Sequence, residues 1–280
     1  MNRTFINFFQ LKYSNYEKVK NIHSIKHDII REQFKYFNIK EKIEISTIAD
    51  VPSGTGLGSS GAFGVGLFYA LSNFSKRNYS TYKVAKISSD IEIDVLKNNV
   101  GYQDNFIAAY GGLLEQKYKK DLITIKNIKI SKSFRDTIQN NLVMFYTGQV
   151  RNSHKILSEQ VNKSKNNDKK IIENLNETKF LGLETYKIIK NNNFNEYYKI
   201  LLEHWKIKKS RSKNISNSKI NNMYEFGIKN GALGGKVVGA GGGGFLIFFT
   251  NDKKKLIKKF KEKNIKEFNF DIECNGTRLI

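Results

Sequence analysis

The run VPSGTGLGSSG, Val51 to Gly61, does most to limit what this chain can fold into. Before it lies KIEISTI, Lys42 to Ile48, where Ile43, Ile45 and Thr47 alternate with polar neighbours as on a half-buried strand. After it, Ser60 to Ser72 is small and apolar on most sides, the pattern of a buried helix. A strand, a glycine turn and a helix together offer an anion several backbone N–H groups and the positive end of a helix. Pro52, Ser53, Gly54, Thr55, Gly56, Leu57, Gly58, Ser59, Ser60 and Gly61 are therefore the candidate phosphate-binding residues. Glycines let the backbone approach a phosphate without an intervening Cβ, Ser59 and Ser60 can add hydroxyls, and the sole proline, Pro52, stiffens the start of the turn. The bland alternative is a tight turn with a serine cap.

Two named loops can be tested against this stretch. Gly56 to Gly61 matches G-x-G-x-x-G, but the dinucleotide fingerprint needs an acidic residue about twenty positions on, and none occurs between Gly61 and Ser89. A P-loop needs a lysine directly after its last glycine, and Ala62 stands there. Any phosphate bound here is held by backbone and hydroxyl groups.

Of 280 residues, 48 are basic and 26 acidic, a formal charge of +22. Only seven of the basic residues are Arg, and the lysines are scattered through an Asn- and Ile-rich chain, which favours a solvated surface over a nucleic-acid site. We expect no nucleic-acid partner. Cys274 is the single cysteine, which excludes an internal disulfide and a thiolate metal cluster. The N-terminal sequence lacks the pattern of a signal peptide, and the most apolar run, Val237 to Phe249, is too short and glycine-rich to span a bilayer. The expectation is a cytoplasmic protein with no membrane partner.

Helices are predicted over Ile22–Phe37 and Tyr82–Leu96, a short helix is predicted to end at Gly111 and Gly112, and Leu113–Ile130 reads as strand and turn. The polar stretch Ser131–Asn141 reads as a linker before the buried strand Leu142–Thr147. Helical spacing dominates Ile156–Lys208 and Ile215–Lys229. A second glycine-rich segment, Gly231–Gly244, leads into the strand Phe245–Thr250, then a helix over Lys253–Glu262 and a last strand near Phe268–Ile272.

The motif PSGTGLGSSGA resembles the central ATP-binding motif of the GHMP kinases, the superfamily of galactokinase, homoserine kinase and mevalonate kinase. GGKVVGAGGGGF, Gly234 to Phe245, resembles that superfamily's C-terminal glycine motif, which adds Gly239, Gly241, Gly242 and Gly243 to the nucleotide-binding candidates. The resemblance implies an α+β chain of two domains: a ribosomal-protein-S5-like N-terminal domain over residues 1–139 and a ferredoxin-like C-terminal domain over residues 140–280. It also implies a first motif upstream of the observed start, so the N-terminal domain is expected to be incomplete, with Met1 to Leu11 entering mid-way through its sheet.

Asp104 precedes an apolar helical run and by itself reads as a helix cap. The resemblance implies instead that it orients or deprotonates the accepting hydroxyl, that Glu92 and Ser60 hold Mg²⁺, and that ATP is the phosphoryl donor. Asp94 competes with Glu92, and Asp90 reads as a solvated charge. The segments YSNYE, HDIIRE, IEIDVLKNNVGYQDNFIAAYGG, FYTGQVR and HWKIKK are similar to those of D-glycero-D-manno-heptose 7-phosphate kinases. That similarity implies phosphorylation of the anomeric hydroxyl of a heptose phosphate for surface polysaccharide. The alternatives are a kinase of another sugar, such as galactose or fucose, or a weak nucleotide binder. A substrate that already carries a phosphate needs cationic donors away from the reacting end, and Arg151, Lys206 and Lys208 are the candidates.

Overall fold

The computed structural model describes residues 1–119, 122–150 and 153–280, with the side chains of residues 153–155 left aside. Its contacts divide the chain into two units. One comprises Met1–Pro52, Gly58–Gly112 and Glu273–Ile280, the other Ser53–Leu57 and Leu113–Ile272. The division after Gly112 differs from the expected boundary at residue 139, and it cuts the glycine loop itself at two points.

The first unit holds a four-stranded sheet in the order β1 (Asn2–Arg3), β4 (Ile43–Ser46), β2 (Phe9–Lys12), β3 (Tyr16–Val19). β2 and β3 form an antiparallel hairpin, whereas β2 and β4 run parallel. A parallel pair needs a crossover, and α1 (Asp28–Phe37) lies in that connection. The apolar positions expected for this helix are on its buried side: Ile29, Ile30, Phe34 and Phe37. The preceding residues Ile22–Ser24 form a short 3₁₀ turn, so the helix begins later than its periodicity alone suggests.

Three more helices complete the unit: α2 (Ser59–Phe74), α3 (Thr81–Asp90) and α4 (Gln103–Tyr110). α3 runs on into a π turn, Ile91–Val95. The last residues return to α4. Gly112 N–H donates to Glu273 O at 2.6 Å, Thr277 N–H to Ala109 O at 3.3 Å, and the Thr277 hydroxyl to Ala108 O at 2.9 Å. The two Thr277 bonds satisfy carbonyls that the end of a helix leaves without intrahelical partners, and the Gly112 bond ties the residue that follows the helix to the same segment. Gly276, with φ at 64°, is obligatory there, because a Cβ would lie 2.2 Å from Ala109 O.

The second unit is built on the sheet β7 (Leu142–Tyr146), β9 (Phe245–Thr250), β8 (Ala232–Val237), antiparallel throughout, with a separate hairpin β5 (Leu114–Lys119), β6 (Leu122–Asn127). It also carries the helices α5 (Lys132–Asn141), α6 (Ser153–Lys165), α7 (Lys169–Lys190), α8 (Tyr197–Arg211), α9 (Ser218–Lys229) and α10 (Lys253–Lys261). The stretch read as a linker is α5. Phe134 and Ile138, one turn apart, pack with Leu142, Phe194, Leu201 and Phe249. The strand expected near Phe268–Ile272 does not form, leaving a single bridge between Phe145 and Glu267. The glycine-rich segment conceals a strand: Gly234 in β8 lets α8 approach so closely that a Cβ there would meet Tyr198 O at 2.6 Å. Among the described residues no helix is long and apolar enough to cross a membrane.

Candidate active site

In the first unit the loop ends at Gly58, the N-cap of α2. Its φ of 72° and ψ of 26° place it in the left-handed region, and no side chain caps the helix. The first turn of α2 thus keeps N–H groups that have no intrahelical partner, the condition for an anion site. Ser59 and Ser60 lie in that turn. The side of the turn opposite solvent is tightly packed. A Cβ on Gly58 would lie 3.3 Å from Asp104 Cγ, and one on Gly61 would lie 2.9 Å from both Asp104 Cβ and Asn105 Oδ1. Only glycine at position 61 lets the first turn of α4, with its exposed Asp104, sit against the first turn of α2. The N-cap expected at Asp104 is Tyr102 instead, so the carboxylate lies inside the helix rather than capping it.

Glu92 sits on the π turn and is 2% exposed. π turns occur mostly as single insertions within α-helices, frequently at functional sites. Here Leu96 N–H donates to Ile91 O at 2.9 Å, five residues back, and Glu92 O accepts from Asn98 N–H at 3.0 Å. The Glu92 Oε1 atom accepts from Asn105 Nδ2 at 3.1 Å, and its carboxylate also takes a hydrogen bond from the Ser60 hydroxyl. Burial pushes the Glu92 carboxyl up, against the opposing pull of those two hydrogen bonds, and the nearby Asp104 charge pushes it the same way as burial. Neither of these two hydrogen-bond donors is a cation. A desolvated carboxylate beside a serine hydroxyl fits Mg²⁺, which takes one or two protein oxygens and fills its remaining positions with waters and phosphate oxygens. Among the described residues no cluster of three His, Cys, Asp or Glu could form an all-protein metal cage. Asp94 is exposed and Asp90 pairs with Lys86 at 2.5 Å, so Glu92 is the buried carboxylate of this turn.

Within the second unit, Thr55 and the second glycine segment come together. Thr55 is wholly buried, and Gly244, with φ at 80°, lies so near that a Cβ would be 1.9 Å from Thr55 O. Gly244 N–H donates to Gln149 O at 2.8 Å, its carbonyl accepts from Thr147 N–H at 2.8 Å, and Gly242 N–H donates to Ile215 O at 2.7 Å. Gly239, Gly241 and Gly242 also have positive φ, whereas Gly243 is restricted by Gln149 O, 2.8 Å from where its Cβ would stand. The segment is a fixed support for Thr55 rather than a slack turn.

Lys208, expected to face a substrate, is 6% exposed, and its ammonium donates to Val237 O at 3.0 Å and to Gly239 O. It holds the start of the glycine segment. Lys206 is largely exposed and lies 3.5 Å from Glu203. Arg151 falls outside the described residues.

Beside Lys208 on the face of β8 that meets α8, Lys236 Nζ approaches His204 Nδ1 at 2.9 Å. Burial pushes the Lys236 ammonium down to about 8 from its ordinary 10.5, and burial, with help from Lys236, pushes His204 down to about 3. His204 is accordingly neutral at pH 7 and accepts the bond. Because the fold disfavours the charged lysine, the unfolded chain binds more protons between pH 8 and 10.5, and stability contributed by this residue rises through that window. Lys236→Met is expected to stabilise the protein at pH 7 by about 1–3 kcal/mol, with the advantage over the parent shrinking toward pH 10. Urea unfolding of both proteins across that range measures it, and a pH-independent difference would contradict the assignment.

The description "GHMP kinases N terminal domain" matches residues 23–112, and "GHMP kinases C terminal" matches residues 185–266. The D-glycero-alpha-D-manno-heptose 7-phosphate kinase of Campylobacter jejuni is 30% identical over 234 residues, covering 82% of this chain and 68% of that protein. The bifunctional fucokinase/GDP-fucose pyrophosphorylase of Arabidopsis thaliana is 24% identical over 82% of this chain and 22% of its own length. A D-glycero-D-manno-heptose 1-phosphate kinase from Bacteroides thetaiotaomicron shares the fold with a TM-score of 0.78 at 19% identity, covering 98% of this chain and 83% of that one. The glycine loop at a helix start and the two matching domains in the same order lead to one conclusion: the chain belongs to the GHMP kinases.

Proposed function

We propose that this kinase transfers the γ-phosphoryl group of ATP to the anomeric hydroxyl of a heptose 7-phosphate, in the cytoplasm, as a step toward nucleotide-activated heptose. The observation that carries the chemistry is the packing of Asp104 and Glu92 around the first turn of α2, whose N–H groups no side chain caps. In the transfer, the acceptor oxygen forms a bond to the γ-phosphorus as the bond to the β–γ bridging oxygen breaks, ADP leaves, and the hydroxyl proton passes to the Asp104 carboxylate. The α2 amides and the loop glycines hold phosphate oxygens and offset their charge without reorganising. Glu92 and Ser60 would hold Mg²⁺, which supplies charge stabilisation at the phosphates when bound.

The relative at 30% identity favours a heptose 7-phosphate as acceptor, and the fucokinase relative keeps fucose as the competing reading. A panel of heptose 7-phosphate, heptose, fucose and galactose with Mg²⁺ and ATP, followed by ADP release and product NMR, separates them. Heptose 7-phosphate is expected to give the highest kcat/KM and an anomeric phosphate. Faster turnover with an unphosphorylated hexose would overturn the heptose assignment while leaving the kinase chemistry in place.

A further inference from the structure

Asn105 follows Asp104 directly, yet the two side chains face different partners. Asp104 is exposed on the first turn of α4, while Asn105 is 2% exposed and donates from Nδ2 to Glu92 Oε1 at 3.1 Å. Gly61 of α2 makes room for this contact, and Gly64 lies at ordinary contact distance from it. A Cβ on Gly61 would lie 2.9 Å from Asn105 Oδ1, and one on Gly64 would stand 3.6 Å from Glu92 Oε1 and 3.9 Å from Asn105 Nδ2. Gln33 of α1 closes the cluster from behind. It is fully buried, donates to Gly64 O at 2.8 Å, and its Oε1 has no hydrogen-bond partner. A buried amide bonded to a buried carboxylate has a high cost of disruption, so the geometry is kept only where the surroundings demand it.

We propose that Asn105 is a positioning residue for the Glu92 carboxylate. Its amide fixes Oε1, which selects the orientation in which the carboxylate and the Ser60 hydroxyl together meet a divalent cation. Residues that orient a metal ligand in this way commonly change metal affinity 10- to 100-fold when replaced. One helical turn therefore serves two tasks: Asp104 addresses the acceptor and Asn105 addresses the metal carboxylate, so their spacing is fixed by the backbone of α4. This inference rests on the proposed role of Glu92, and the test separates the two.

Mn²⁺ is titrated into the full chain saturated with a non-hydrolysable ATP analogue and followed by electron paramagnetic resonance, for the parent protein, Asn105→Leu, Glu92→Gln and Gln33→Met. Circular dichroism and Tm are recorded for each. Asn105→Leu keeps the branched shape and the number of side-chain heavy atoms while removing the donor, and it is expected to weaken Mn²⁺ binding about 10- to 100-fold with the sugar KM unchanged. Gln33→Met, in the same cluster without a bond to Glu92, is expected to shift Tm with Mn²⁺ affinity retained. Equal loss of affinity in Asn105→Leu and Gln33→Met would make the cluster merely structural and overturn the proposal. Loss in Glu92→Gln with none in Asn105→Leu would overturn the positioning role alone. Unchanged affinity in Glu92→Gln would overturn the metal assignment on which it rests.

Discussion

Asp104→Asn is expected to lower kcat by about 10²- to 10⁴-fold, the contribution typical of a positioned acid or base, with ATP affinity unchanged. The substitution keeps the size of the side chain in its close approach to Gly58 and Gly61, so the first turns of α2 and α4 still meet. What is lost is the acceptor for the hydroxyl proton and the negative charge that orients it. Steady-state kinetics with the preferred acceptor and ATP binding by calorimetry check this together. A variant with parental kcat would remove Asp104 from the chemistry. One that lost ATP affinity as strongly as turnover would assign it to the loop instead.

Gly244→Ala is expected to have the largest effect of any single methyl group in the second unit. The backbone there has φ at 80°, where an alanine is strained by roughly 1–2 kcal/mol before any contact is considered. The added Cβ would also stand 1.9 Å from Thr55 O and 2.7 Å from Thr55 C, atoms that cannot rotate away. We expect a loss of at least about 3 kcal/mol in unfolding free energy, among the severe single-residue effects. Because Thr55 belongs to the proposed phosphate loop, a steep rise in the KM for ATP should accompany it. Gly182→Ala, on the exposed side of α7 with nothing within 4 Å of its Cβ, is the control. It should gain up to about 1 kcal/mol, since glycine weakens a helix interior. Denaturant titration and ATP kinetics on both variants test the pair, and similar behaviour of the two would contradict the packing described.

These two residues show how unevenly the sequence disclosed the fold. The loop Val51–Gly61 was readable because glycine density, strand periodicity before it and small residues after it are all local. The second glycine segment could be recognised in the same way, but its hidden strand could not, because Gly234 and Gly235 carry no β signal and are selected by close approaches, of α8 to Gly234 and of Phe248 in β9 to Gly235. Glu92 was legible as a carboxylate and not as a π-turn residue, since a period of 3.6 says nothing about one inserted residue. Asn105 gave no signal at all: burial of an amide next to an exposed acid is decided by helix packing. Lys208 misled for the opposite reason, its charge suggesting solvent while its stem and ammonium are used inside the fold. The helix α5 was missed although Phe134 and Ile138 already carried its spacing, because the polar residues around them outweighed two apolar ones.

The return of Glu273–Ile280 to α4 has a consequence for how the protein comes into being. The helix that bears Asp104 ends at residue 110, but the residue that donates to its last carbonyls is Thr277, and Glu273 ties down Gly112 just beyond it. At about 5–20 residues per second on the ribosome, tens of seconds of synthesis can separate the two. Throughout that interval a nascent first unit has its sheet and the glycine turn before α2 without the bonds that finish α4. The helix carrying the proposed proton acceptor is thus among the last pieces of that unit to be secured, after the whole second unit has been made.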